Sequence, residues 1–161
     1  MSRCFNRFMQ HLTIDFTGPF KESQHARILV VEDDQFIREL YAIILRMNGY
    51  DIATAVDGVD ALERLADEPF DLVLTDRSLP KIDGPGIVLA LRSAGSRTPV
   101  IMISGSLEYA PLPPAVAREL SAAIQKPAGI PELLSAIARS LPPTPLREDS
   151  REFRGVAELA A

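Results

Sequence analysis

Four groups of residues in this chain carry the right chemistry, in the right places, for one reaction. Glu32, Asp33 and Asp34 directly follow the apolar run Ile28-Leu29-Val30-Val31. Asp76 closes the run Phe70-Asp71-Leu72-Val73-Leu74-Thr75. Ser104 follows Pro99-Val100-Ile101-Met102-Ile103, and Lys126 follows Ala122-Ala123-Ile124-Gln125. Together they supply what phosphoryl transfer to a carboxylate needs. Oxygen ligands that include carboxylates suit Mg²⁺, which demands octahedral oxygen coordination and usually keeps some waters. The ion would also offset the repulsion among Glu32, Asp33 and Asp76. Asp76 would be the nucleophile, because a carboxylate can form an acyl phosphate. Ser104 would hydrogen-bond one phosphoryl oxygen, and Lys126 would offer a compact positive charge to another. Mg²⁺ and Lys126 would then stabilise charge in the transition state, the main catalytic device this reaction offers.

Each residue alone has a plainer reading. Acids at strand ends commonly cap helices, and Asp34 is placed to cap the one that follows. A lone strand-end aspartate is more often structural than catalytic, and Ser104 alone reads as a turn or cap residue. The joint pattern at successive strand ends carries the functional reading.

The elements that must position these groups alternate. Short apolar runs rich in β-branched residues predict buried strands at 26–31, 70–76 and 99–103, with shorter ones at 51–55 and 122–125. Helical spacing predicts helices at about 35–48, 57–67, 87–93, 114–121 and 131–141. In the first, Phe36, Leu40, Ile43, Ile44 and Met47 form the apolar face, which Ile37, Tyr41 and Leu45 widen. Gly49 suits its C-terminal turn. Five strands alternating with five helices read as an α/β domain, a doubly wound parallel sheet. Parallel strands present their carboxyl ends along one edge, so residues distant in sequence can converge there.

Composition bounds the rest. The 161 residues suffice for one domain with a real core. A net charge of −5 argues mildly against a nucleic-acid surface, which would show a basic stripe. The single cysteine, Cys4, excludes an intramolecular disulfide and a cysteine metal cage, and fits a reducing, cytoplasmic setting. No stretch reaches the roughly 18 consecutive apolar residues of a membrane span. Polar residues between Arg3 and Asp15 break any secretory signal. Residues 1–25 show no clean period and are expected to form a flexible or loosely docked extension before a domain at 26–141. Residues 142–161 begin with prolines, turn charged, and are expected to be a loosely attached tail.

At this point the chain resembles a response-regulator receiver domain, of the stand-alone, chemotaxis-regulator-like kind. The carrying stretches are Ile28 to Asp34, Asp71 to Asp76, Leu79-Pro80-Lys81-Ile82-Asp83-Gly84, Pro99 to Gly105 and Lys126-Pro127. The resemblance implies the flavodoxin-like strand order 2-1-3-4-5. It implies phosphotransfer to Asp76 from a phosphohistidine on a sensor histidine kinase or phosphotransfer protein. It implies Mg²⁺ held by Asp33, Asp76 and the Ser78 backbone carbonyl, with Glu32 acting mainly through water. It also implies a cis Lys126-Pro127 peptide.

Two positions depart from the family pattern. An aromatic residue usually stands three places before the lysine, and here that place is Ala123. A bulky apolar residue is common after the lysine-proline pair, where this chain has Ala128. Readout would then fall to the loop from Gly105 to Pro114 or to Tyr109, which reads more plainly as an exposed loop residue. Ser78 and Ser106 would flank the site and tune the lifetime of the phosphoryl group.

The expected function is a single-domain regulator in a Mg²⁺-dependent two-component phosphorelay, catalysing only its own phosphorylation and dephosphorylation. With about twenty residues after the last helix, no output domain and no direct DNA binding are expected. Contact with a downstream protein would use the face of the fourth helix, fifth strand and fifth helix, and homodimerisation is left open. The alternative is a phosphorylation-independent interaction module, motivated by Ala123. A Mg²⁺-dependent phosphohydrolase fits less well, because Asp76-Arg77-Ser78 lacks a second aspartate two residues on to act as general acid.

Overall fold

The computed structural model describes residues 26–105 and 111–141. The expected alternation is present. The strands are β1 Arg27–Val31, β2 Asp51–Ala55, β3 Leu72–Asp76, β4 Val100–Ser104 and β5 Ala122–Gln125. The helices are α1 Gln35–Met47, α2 Gly58–Asp67, α3 Gly84–Ser93, α4 Pro114–Ala117 and α5 Ile130–Ser140. The strands form one parallel sheet in the order β2-β1-β3-β4-β5.

Strand alternation divides the core in two. Ile28 and Val30 point to one side with Leu72, Leu74, Ile101 and Ile103, where Ala42 and Leu45 of α1 and Leu133, Ala136 and Ile137 of α5 cover them. Leu29 and Val31 point to the other with Val73, Val100 and Met102, under Ala61, Ile87, Val88, Leu91 and Val116 of α2, α3 and α4. All residues of β3 and β4 are buried, which explains their near-continuous apolar sequence.

The caps fix where helices start, and hence how strand ends turn. The Asp34 side chain accepts from Ile37 N at 3.0 Å and opens α1. Asp57 accepts from Val59 N and Asp60 N and opens α2. Gly49, with φ +85°, ends the turn after α1.

Three expectations need correction. The first concerns α1. Phe36, Leu40, Ile43 and Met47 are 84, 54, 55 and 76 % exposed, whereas Ala42 and Leu45 are in the core. The apolar residues cover more than half of the helix circumference, with Gln35, Arg38, Glu39 and Arg46 on the remaining side, so periodicity alone did not reveal which part of that broad face meets the sheet. The second is α3, which begins at Gly84 instead of Ile87. The Asp83 side chain caps it by accepting from Gly86 N at 2.8 Å, and Pro85 is compatible with a first turn. The third is α4, which stops at Ala117 instead of reaching Ser121. Ser121 N donates to Val100 O at 2.9 Å, so the chain must already be extended to join the sheet.

Tyr109, Ser106, residues 1–25 and residues 142–161, to which the sequence assigns loop, extension and tail roles, lie outside the described residues.

Candidate functional site

The carboxyl ends of β1, β3, β4 and β5 meet on one edge of the sheet and bring the sequence-distant groups together. Lys126 Nζ lies 2.9 Å from Glu32 Oε2 and 2.8 Å from Asp76 Oδ1. Carboxylate oxygens of Glu32, Asp33 and Asp76 all lie within 4.8 Å of one another. Glu32 and Asp76 are buried, and Asp33 is exposed at the rim.

Neighbouring backbone sets these positions. Ser78 N donates to Asp76 Oδ2 at 2.9 Å, so both oxygens of Asp76 have a donor, one ammonium and one amide. The Thr75 hydroxyl donates to Asp76 O at 2.9 Å. Asp76 pairs with Ile103 across the β3–β4 ladder, which puts Ser104 one residue further along the adjacent strand end, buried. Lys126 N donates to Ser104 O at 2.8 Å, and the Lys126-Pro127 peptide is cis.

Electrostatics follow from two buried acids, Glu32 and Asp76, sharing one ammonium, with Asp33 beside them. Burial pushes the Glu32 carboxyl above the usual glutamate value, against the hydrogen bond from Lys126 that favours the charged form. Burial alone would push the Lys126 ammonium down. Its hydrogen bonds to Asp76 and Glu32 outweigh that, and its pKa is raised. The donor set is all oxygen, partly buried and short of positive charge, which fits Mg²⁺ held by Glu32, Asp33 and Asp76.

Several contributors have no signal in the sequence. Arg38 Nη1 donates to the carbonyls of Glu32 at 2.7 Å and Asp33 at 3.2 Å, fastening the acidic turn to α1. Tyr41, half-buried on α1, has its hydroxyl pKa raised by burial and sits within the field of Lys126, Glu32 and Asp76. Gly84 stands so close to the site that a Cβ there would meet Asp76 O at 2.5 Å. The run Leu79 to Gly84 stands out in the sequence as a family motif, which does not disclose this steric reason. Within it, Lys81 has φ +66° and pairs with Asp57 at 2.6 Å. That pair pins the loop after β3 to the start of α2, and chiefly through it the Asp57 carboxyl is held below its usual range.

The family model described as the response regulator receiver domain matches residues 28–138. The chain belongs to that family. Receiver domains are phosphoacceptors and bind Mg²⁺ at an acidic pocket. The chain is 32% identical over 123 residues to the response regulator MprA of Mycobacterium ulcerans, an alignment covering 76% of this chain and 53% of that protein. It thus spans about half the length of the curated relatives it matches. Among solved receivers, the chemotaxis response regulator CheY4 of Vibrio cholerae is 28% identical with a TM-score of 0.65, covering 72% of this chain and 98% of that one. The response regulator TrrA of Thermotoga maritima, solved with Mg²⁺ and BeF, is 28% identical with a TM-score of 0.66, covering 72% and 99%. Among the described residues, no helix is long and apolar enough to cross a membrane.

Ala123, at the place of the family's usual aromatic residue, is exposed on β5 opposite Met102. Ala128 is half-buried and packs against the α1–α5 side of the core.

Proposed function

We propose that this receiver, at residues 26–141, takes a phosphoryl group on Asp76 from a phosphohistidine of a sensor histidine kinase or phosphotransfer protein. A new P–O bond forms at the Asp76 carboxylate as the donor's P–N bond breaks, and the departing imidazole nitrogen keeps the electron pair. The observation that carries this reading is the placement of Asp76. It is a buried carboxylate at a strand end, with Lys126 Nζ at 2.8 Å and two further acids within 4.8 Å.

Mg²⁺, held by Glu32, Asp33, Asp76 and the Ser78 carbonyl, would neutralise charge on the incoming phosphoryl oxygens. Lys126 is already aimed at Asp76, so it can follow a phosphoryl oxygen without leaving the pocket. Ser104, on the neighbouring strand end, supplies a hydroxyl donor for another oxygen. Ser78 N keeps the Asp76 carboxylate turned toward the pocket. Output passes to a downstream protein by contact at the face of α4, β5 and α5.

The test is incubation of the full chain with Mg²⁺ and a small phosphodonor such as acetyl phosphate, read by intact mass. One phosphoryl group is expected on the wild type and none on Asp76→Asn. Persistent labelling of that variant would remove Asp76 from the role.

A second reading is a phosphorylation-independent interaction module, favoured by the exposed Ala123 on β5. Titration with Mg²⁺ and beryllofluoride, followed by amide NMR, separates the two. Shifts that extend from Asp76 to α4 and β5 support the phosphorylation switch, and shifts confined to the pocket support the module.

A further inference from the structure

We propose that the outer face of α1 is a self-association surface, on which a second copy of this chain packs its own α1 antiparallel across a two-fold axis. Phe36, Leu40, Ile43 and Met47 recur at spacings of four, three and four, which places them on one helix face. They are 84, 54, 55 and 76 % exposed and stand opposite the buried Ala42 and Leu45. Alternating steps of three and four are the seam of a pair of packed helices. A contiguous apolar stripe of this kind marks an interaction surface, unlike apolar residues scattered singly.

The charges beside the stripe select a second copy as its occupant. At 3.6 residues per turn, Glu39 and Arg46 fall along one edge of the stripe, and both are exposed. The other edge is formed by half-buried Ile37 and Ile44. A two-fold axis perpendicular to two antiparallel helices keeps the charged edge on the same side in both copies. With that axis midway between Leu40 and Ile43, Phe36 meets Met47 of the second copy and Leu40 meets its Ile43. Glu39 then lies beside Arg46 of the second copy, and Arg46 beside its Glu39. The face is complementary to itself in this orientation. A parallel pair would set both charges against the apolar edge of Ile37 and Ile44 instead.

Bonds within each chain hold the charges at that edge. Gln35 Nε2 donates to Glu39 Oε1 at 2.8 Å, and Arg46 Nη2 donates to Ile52 O at 3.1 Å. Each bond uses one atom of its group, and a carboxylate has a second oxygen and a guanidinium further N–H donors for an ion pair. The remaining arginine of α1, Arg38, is turned to the carbonyls of Glu32 and Asp33 and does not unbalance the seam.

The size of the seam sets its strength. From Phe36 to Met47 it runs about 16 Å at 1.5 Å per residue. One helix face of that length covers roughly half of the ~800 Å² per partner found in stable complexes, so the dimer is weak, with a Kd on the order of 0.1 mM.

Sedimentation equilibrium of the full chain, from about 10 µM to about 1 mM, tests the proposal. A monomer–dimer equilibrium is expected for the wild type. Leu40→Glu with Ile43→Glu is expected to abolish it while strand amide shifts stay in place. Glu39→Arg alone, which faces like charges across the axis twice, is expected to weaken it about tenfold or more. Combining Glu39→Arg with Arg46→Glu exchanges the signs and is expected to restore the Kd to within about threefold of the wild type. A wild type that stays monomeric throughout the range overturns the proposal. Dimerisation that survives the Leu40→Glu, Ile43→Glu pair overturns it by moving the interface away from α1. Failure of the charge exchange to restore association overturns the antiparallel pairing and with it the proposal. The measurement reads association alone and does not depend on chemistry at Asp76.

Discussion

Lys126 Nζ lies 2.9 Å from Glu32 Oε2, joining residues 94 apart in sequence across the ends of the two strands between them. The contact links the last strand to the first, and Asp76 lies beneath it on the same ammonium. The pocket is thus held by one shared cation, and most of its expected behaviour follows from that sharing.

Lys126→Met removes the cation and leaves Glu32 and Asp76 facing each other in a partly dry site. Breaking a fully buried pair costs about 3–5 kcal/mol. Lys126 is 24% exposed, so solvent screens part of this, and a loss of about 1–2 kcal/mol is expected. Without its competitor, Mg²⁺ is expected to bind more tightly to the variant than to the wild type. Chemical denaturation with and without Mg²⁺ measures both, and weaker Mg²⁺ binding in the variant would show that Lys126 does not compete for these acids.

The raised pKa of Glu32 gives a pH dependence with a definite sign. A folded carboxyl that holds its proton above the ordinary value of about 4.3 favours the folded state at low pH, and that contribution is lost as pH rises through the folded pKa. Mg²⁺ needs the ionised form, so its stabilising effect is expected to grow over the same window. Asp57, shifted downward, acts only at more acid pH and does not overlap. Thermal melts from about pH 4 to about pH 8, with and without Mg²⁺, check this. In Glu32→Gln the Mg²⁺ increment should lose most of its pH dependence in this window.

Gly84→Ala places a methyl 2.5 Å from Asp76 O and 3.1 Å from Arg77 Cα, both backbone atoms that cannot swing aside. A loss of about 1–3 kcal/mol is expected, as for overpacking elsewhere. The strand end carrying Asp76 should shift as well, so phosphorylation by a small phosphodonor is expected to slow in the variant that remains folded. An unchanged rate at unchanged stability would mean the loop yields without cost.

The two stripes of α1 should respond oppositely. Leu45→Ala opens the core and is expected to cost about 2–5 kcal/mol. Leu40→Ala, on the solvent side, is expected to stay within about 0.5 kcal/mol of the wild type. Equal losses in denaturation would contradict the observed orientation of the helix.

That orientation marks where sequence reasoning stopped. The strands were legible because those buried on both faces read as unbroken apolar runs, and the strand-end groups because a parallel sheet must gather its carboxyl ends on one edge. The caps at Asp34 and Gly49 were legible because their side-chain and backbone requirements are local. The buried face of α1 was not, since Phe36, Leu40, Ile43 and Met47 make as good a stripe as Tyr41, Ala42 and Leu45, and only docking against the sheet decides between them. Arg38, Tyr41 and the steric role of Gly84 were hidden for the same reason. Their parts depend on what the fold brings beside them.

The central claim is that Asp76 is the phosphoacceptor. Its most direct test is peptide mapping of the acyl phosphate after incubation with Mg²⁺ and acetyl phosphate. Borohydride reduction converts the phosphorylated aspartate to homoserine and so marks the residue. The expected result is homoserine at position 76 alone, abolished when Mg²⁺ is chelated. Homoserine at Asp33 or elsewhere, with position 76 unmodified, would contradict the account.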